Sequence, residues 1–123
     1  MIEHIETYVA GVTFNNRDGT NRQDILERLE GDEPLKLVWE PNNPHSKSGN
    51  AVAVYSPPGQ IGYLPEKVVQ RIVKKYEGGP KITMTAEFWK SPVGIGFAIR
   101  NRKTDDGNDI LVADITLTIT TVE

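Results

Sequence analysis

The chain has 123 residues, 37% of them apolar, and a net charge of −3, which suits one domain with one core and leaves little room for a second. It contains no cysteine, which excludes disulfides, thiol catalysis and cysteine-held zinc or iron–sulfur sites and agrees with a reducing compartment. The acidic start, Met1-Ile2-Glu3-His4-Ile5-Glu6, has no apolar run fit for a signal peptide or membrane anchor, so a soluble, cytoplasmic protein is expected.

Ile5 to Phe14, rich in Thr, Tyr and Val, predicts a first strand with Gly11 as a bulge or close-approach point. A turn cluster, Asn15-Asn16-Arg17-Asp18-Gly19, follows. Thr20 and Gln23 have the spacing of a capping box, which predicts a helix to about Glu30 with Ile25, Leu26 and Leu29 as its buried stripe and Gly31 as its stop. Leu35 to Glu40 predicts a short strand ended by Pro41, and residues 41–50 a polar loop. Ala51 to Tyr55 and Gln60 to Leu64 predict two strands about the Pro57-Pro58-Gly59 turn.

Pro65 occupies a favoured first helical position. Leu64, Val68, Val69, Ile72, Val73 and Tyr76 then recur at helical spacing until Gly78-Gly79-Pro80. Lys81 to Trp89 alternates, with Ile82, Met84, Ala86 and Phe88 on one face. A strand over Val93 to Arg100 follows the Ser91-Pro92 turn. After a charged loop over Arg102 to Asp109, a last strand runs from Ile110 to about Val122. Seven short strands and two lone helices do not suit a doubly wound parallel sheet. An antiparallel barrel, closed or nearly closed, with helices at its ends, suits them better and leaves no exposed strand edge.

Charge is unevenly placed. Residues 1–46 carry a net −5, residues 47–103 a net +7, and residues 104–123 a net −5. A basic central block is compatible with a phosphate-binding surface, although helices ordinarily carry Lys and Arg on their solvated faces. No catalytic pattern survives inspection. His4 and His45 lie far apart and form no metal-binding spacing. Asp105, Asp106 and Asp109 lack the spacing and the downstream Glu of an EF-hand and read as a solvated hairpin loop. Gly94-Ile95-Gly96 opens no helix, so it is no dinucleotide fingerprint, and the phosphate-loop motif is absent. No enzyme activity, cofactor or metal is expected. The 41–50 loop, with its amides, hydroxyl and imidazole, has the groups to bond base edges, sugars and phosphates; Asn-rich turns also arise simply to satisfy local backbone.

An ordered set of segments resembles the HIRAN family: Val9-Ala10-Gly11-Val12-Thr13-Phe14, then Leu35 to His45 with its Glu-Pro-Asn-Asn-Pro core, then Asn50-Ala51-Val52-Ala53-Val54, and Gly59-Gln60-Ile61-Gly62-Tyr63-Leu64-Pro65. The resemblance is strongest over 6–77 and thinner to 100, with 101–123 an additional hairpin and C-terminal strand. Such domains occur fused to Snf-type DNA helicases and alone in bacterial proteins. The resemblance implies an α+β, mainly β fold, a small antiparallel OB-like/SH3-like β-barrel with two helices, that binds DNA. In one branch the pocket grips a 3′ end: aromatics stack on terminal bases, at ~1–3 kcal/mol per base, and an acid after the Asn-Pro pair bonds the 3′ hydroxyl.

Carried onto this chain, Asn43 keeps the asparagine before Pro44, His45 falls at one stacking position and Phe14 near the other, and Tyr63 at a polar ring that contacts DNA. Ser46 replaces the acid, Thr13 replaces a basic residue, and two residues are inserted before Asn50. A serine bonds a hydroxyl more weakly than a carboxylate does. The expected site is therefore Phe14, Asn42, Asn43, His45, Ser46 and Tyr63, with Lys47, Lys67 and Arg71 toward phosphates. The expected partner is nucleic acid, single-stranded DNA or DNA ends. A protein partner on the same surface is the alternative.

Overall fold

A computed structural model of the chain describes every residue except His45, Lys47, Ser48, Ile95 and Glu123. The elements follow the order the sequence predicts: β1 (Ile2–Tyr8), α1 (Arg22–Glu27), β2 (Lys36–Pro41), β3 (Asn50–Tyr55), β4 (Gln60–Tyr63), α2 (Glu66–Tyr76), β5 (Lys81–Phe88), β6 (Ile99–Lys103) and β7 (Asp109–Val122). The fold is mainly β, antiparallel throughout, with two helices. No helix among the described residues is long and apolar enough to cross a membrane.

The strands form two sheets. In one, β7 lies between β1 and β5, and its first residues pair with β6; in the other the order is β2-β3-β4. Strand β7 is long because its alternation is unbroken: Ile115, Leu117 and Ile119 are buried, while Thr116, Thr118 and Thr120 face the other side. Across it, Ile5 and Ala86 both oppose Leu117, and Phe88 opposes Ile115. These side chains join Ile25 and Leu26 of α1, Val52 and Val54 of β3, Ile61 of β4, and Val69 and Ile72 of α2 in one core.

The expected closed barrel is not found: among the described residues the strand pairings do not form a ring. The two sheets meet at one isolated bridge between Ala10 and Tyr63. The cause lies at the end of β1. Val9 still donates to Ala113 O, at 3.0 Å, but Gly11, at φ +71°, turns the chain away. Strand β1 therefore ends at Tyr8, and residues 10–14, expected as strand, form a turn.

Two further boundaries move. Asp18 captures the Thr20 amide at 3.0 Å and its hydroxyl at 2.6 Å, so Asn21 caps α1 instead, accepting from Asp24 N at 3.1 Å. Gln23, expected in a capping box, turns inward and ties α1 to β7: its amide donates to Val12 O and Leu111 O and accepts from Leu111 N, at 3.0, 2.9 and 2.7 Å. Val93, Gly94, Gly96, Phe97 and Ala98 are not strand. Gly94 and Gly96 sit at φ +74° and +114°, and the segment leaves and rejoins β7 at one residue, Trp89 N donating to Asp114 O and Asp114 N to Ala98 O. Asp105 and Asp106 lie in the β6–β7 turn, where Asp106 bonds Thr104, and Asp109 opens β7 and pairs with Lys103 at 3.1 Å. Among the described residues no group of His, Cys, Asp or Glu is placed to hold a metal ion.

Candidate functional site

The site begins with Gly62. A Cβ there would stand 2.3 Å from Ala10 O and 2.6 Å from Val9 Cγ1, so only glycine lets β4 approach the end of β1 this closely. The approach is fixed by two bonds, Ala10 N to Tyr63 O at 2.7 Å and Tyr63 N to Ala10 O at 2.9 Å. Phe14 and Gly11 are thereby set beside Tyr63, at the mouth of a cleft of about 550 Å³. Its wall includes Phe14, Arg22, Asn43, Ser46, Tyr63 and Glu66.

The polar wall comes from Asn43, Ser46 and Asn50, from Tyr63 of β4 and from Glu66 in the first turn of α2, and Glu40 of β2 braces it from outside. Glu40 Oε1 accepts from both Tyr63 Oη and Asn43 Nδ2, each at 2.9 Å. Asn43 N bonds Gly49 O at 2.7 Å, and Asn42 makes the preceding turn at φ +61°, a left-handed conformation asparagine tolerates. Ser46 Oγ lies 2.7 Å from Asn50 O and 3.1 Å from Glu66 Oε1; its one proton serves one acceptor at a time.

Arg22 is the one cation among the described residues that line the cleft. It is only 6% exposed. Its Nε donates to Asn16 Oδ1 and its Nη1 to Gly11 O, both at 2.8 Å, and its guanidinium lies 5.4 Å from the centre of the Tyr63 ring. Asn16 is anchored in turn by a 2.9 Å bond to Gln60 O. No ion pair among the described residues involves Arg22.

Of the expected residues, Phe14, Asn43, Ser46 and Tyr63 line this cleft. Asn42 is exposed and shapes the loop rather than lining the cleft. Lys67 and Arg71 stand on the exposed face of α2, which turns Glu66 and Val69 to the cleft instead; Arg71 adds to the positive field around Glu3, next to Lys75. His45 and Lys47 lie outside the described residues. The sequence reading missed Arg22, Glu40 and Glu66. For Arg22 a signal existed: it stands three and four positions before Ile25 and Leu26, on the stripe that α1 buries, where a charge is out of place.

No protein-family model matches the chain, and neither a curated protein nor a solved structure matches it. What the cleft can hold is read from its chemistry: an exposed aromatic at the rim, a buried guanidinium beside it, an amide, a hydroxyl and one carboxylate, Glu66, within one ligand-sized space, with Glu40 bonded to Asn43 and Tyr63 outside the lining.

Proposed function

We propose that the chain is a non-catalytic nucleic-acid-binding module of the HIRAN type, and that the cleft between β4, α1 and the 41–50 loop holds single-stranded DNA or a DNA end. One observation carries this reading: Phe14, Asn43, Ser46 and Tyr63, which come from three separate segments of the family-like sequence, line a single cleft. Phe14, 65% exposed, is placed to stack on a base, and the hydroxyl and amide of Ser46 and Asn43 are placed for sugar and base edges. Lys67, next to the cleft-lining Glu66, is the phosphate contact this reading retains on α2; Arg71 acts at most through its field. The two sheets joined at Ala10 and Tyr63 fit an opened form of the family's OB-like barrel.

The test is fluorescence anisotropy with labelled single strands ending in a 3′ hydroxyl or a 3′ phosphate. With two or three phosphate contacts, affinity should fall roughly tenfold between 50 and 200 mM salt. Phe14→Ala should weaken binding by ~1–3 kcal/mol while leaving stability nearly unchanged, because the ring is mostly solvated. Unaltered binding by that variant would place the nucleic acid elsewhere. A second reading, a protein-interaction module, has its own observation: Val93 and Phe97, between β5 and β6, are 77% and 79% exposed. A protein partner docked on these apolar side chains would bind with little salt dependence, and no oligonucleotide would compete.

A further inference from the structure

A guanidinium is rarely buried without a counter-ion, because acceptor dipoles solvate the charge without neutralising it. Arg22 is in that position. Its Nε and Nη1 are held by neutral oxygens, its face rests on Tyr63, and among the described residues its Nη2 donates to no acceptor and no carboxylate pairs with it. Since no buried side-chain nitrogen or oxygen among them lacks a partner, the remaining edge of the guanidinium meets the open space of the cleft it lines. The side chain is rigidly placed: Asn16 and Gly11 fix it, and Asn16 is itself anchored to β4. A fixed, desolvated fork of N–H donors opening into a ligand-sized cleft is the arrangement that recognises an oxyanion with two oxygens.

From this geometry we infer that Arg22 is a phosphate receptor, and that the unit the cleft recognises is one nucleotide, either free or as the terminal unit of a strand. The inference deepens the nucleic-acid reading above and rests on it for the strand. The rest of the cleft fits the remaining parts of a nucleotide. Phe14 offers a face for the base. Ser46 and the Glu66 carboxylate beside it offer acceptors for a sugar hydroxyl. One phosphate at Arg22, with a neutral sugar and base beyond it, matches the one guanidinium among the described lining residues.

The test varies the ligand and leaves the protein intact. Binding of thymidine 5′-monophosphate, thymidine and inorganic phosphate is measured by calorimetry or by amide shifts. Single strands with one neutral methylphosphonate at the terminal linkage of each end are compared by anisotropy with unmodified strands. The monophosphate is expected to bind about tenfold to a hundredfold more tightly than thymidine and than inorganic phosphate, and the neutral linkage to weaken the strand by a similar factor. Arg22→Lys should retain part of the preference for the phosphate and Arg22→Gln should abolish it, with melting curves recorded for both. Strands that bind equally well with or without the neutral linkage, together with thymidine matching its monophosphate, would overturn Arg22 as receptor while leaving the strand-binding reading intact. Monophosphate binding without strand binding would sink the strand reading and identify the ligand as a free nucleotide. Inorganic phosphate equalling the nucleotide would overturn recognition of the nucleotide, and the absence of any binding would overturn both.

Discussion

Gly62→Ala should be the most damaging single-methyl addition in the cleft. Relief of the contact requires Ala10 O to move from 2.3 Å to at least 3.0 Å from the new Cβ, with Val9 Cγ1 at 2.6 Å obstructing the same space. The atom that must move is backbone, and it accepts the Tyr63 amide, so two bonds joining the sheets are weakened together. Overpacking of this kind costs ~1–3 kcal/mol, and two loosened backbone bonds add up to ~1 kcal/mol each, so a loss of about 2–4 kcal/mol is expected. At ~2.1 cal/mol/K per residue of unfolding entropy, a chain of this size loses about 4 °C of melting temperature per kcal/mol, which gives a fall of about 8–15 °C. The control is Gly19→Ala, where φ is +89° but nothing lies within 4 Å of the added carbon. It isolates the left-handed backbone cost of ~1–2 kcal/mol and should lower the melting temperature by about 4–8 °C. Thermal melts of the three proteins by circular dichroism decide the matter. A Gly62→Ala protein that melts no lower than Gly19→Ala would refute the close approach of β4 to β1, and with it the placement of Phe14 beside Tyr63.

Gln23→Ala should cost about 2 kcal/mol by removing three hydrogen bonds between α1, Val12 and β7, and should speed hydrogen exchange at the Leu111 amide specifically; unchanged exchange there would refute the tie. At the far end of the molecule, the 2.8 Å bond from Lys75 holds the Glu3 carboxyl below the usual carboxylate range, with Tyr76 and the nearby Arg71 adding to the effect. A depressed folded pKa gives stability that is present above the unfolded value of 4.5 and is lost as pH falls through the lower folded value. Glu3→Gln should therefore melt below the parent protein at pH 6 and converge with it as pH falls below 4; a gap that persists or widens in acid would contradict the pairing.

Much of the fold was legible because the signals were periodic. The alternation of Ile115, Leu117 and Ile119 placed β7, and the helical spacing of Val69, Ile72 and Tyr76 placed α2. Misreadings arose where a side chain had two possible uses. Thr20 has the chemistry of a cap, yet Asp18 reaches it first, and Gln23 finds better partners on a strand 88 residues away than on its own helix end. Tertiary partners of that kind cannot be seen in local spacing. The segment over 93–98 looked extended because Val, Ile and Phe favour strands, but Gly94 and Gly96, both at positive φ, accompany Val93, Phe97 and Ala98 outside any strand. Barrel closure failed as an expectation because the count of strands does not say where one leaves its sheet, and Gly11 does that at one residue. Of the candidate site, Phe14, Asn43, Ser46 and Tyr63 were readable from motifs, whereas the carboxylates that hold them, Glu40 and Glu66, were ordinary acids until folding brought them within bonding distance.

The distribution of charge bears on how the proposed ligand would be held. Free nucleic-acid-binding domains that track a backbone are commonly basic, and this chain is net acidic, with its basic block flanked by segments of −5 each. At 0.1 M salt, charges more than ~10 Å from a ligand are largely screened, so acidic and basic side chains distant from the cleft neither repel nor attract a strand strongly. Affinity must then come from contacts inside the cleft: one stacked base, a few hydrogen bonds and a single buried guanidinium. Those contacts are finite in number and directional, which suits a unit that ends, such as a terminal nucleotide, better than a continuous backbone. The same reasoning predicts a shallow dependence on salt for the proposed complex, because a site built around Arg22 with Lys67 nearby releases few counter-ions however long the strand bound to it.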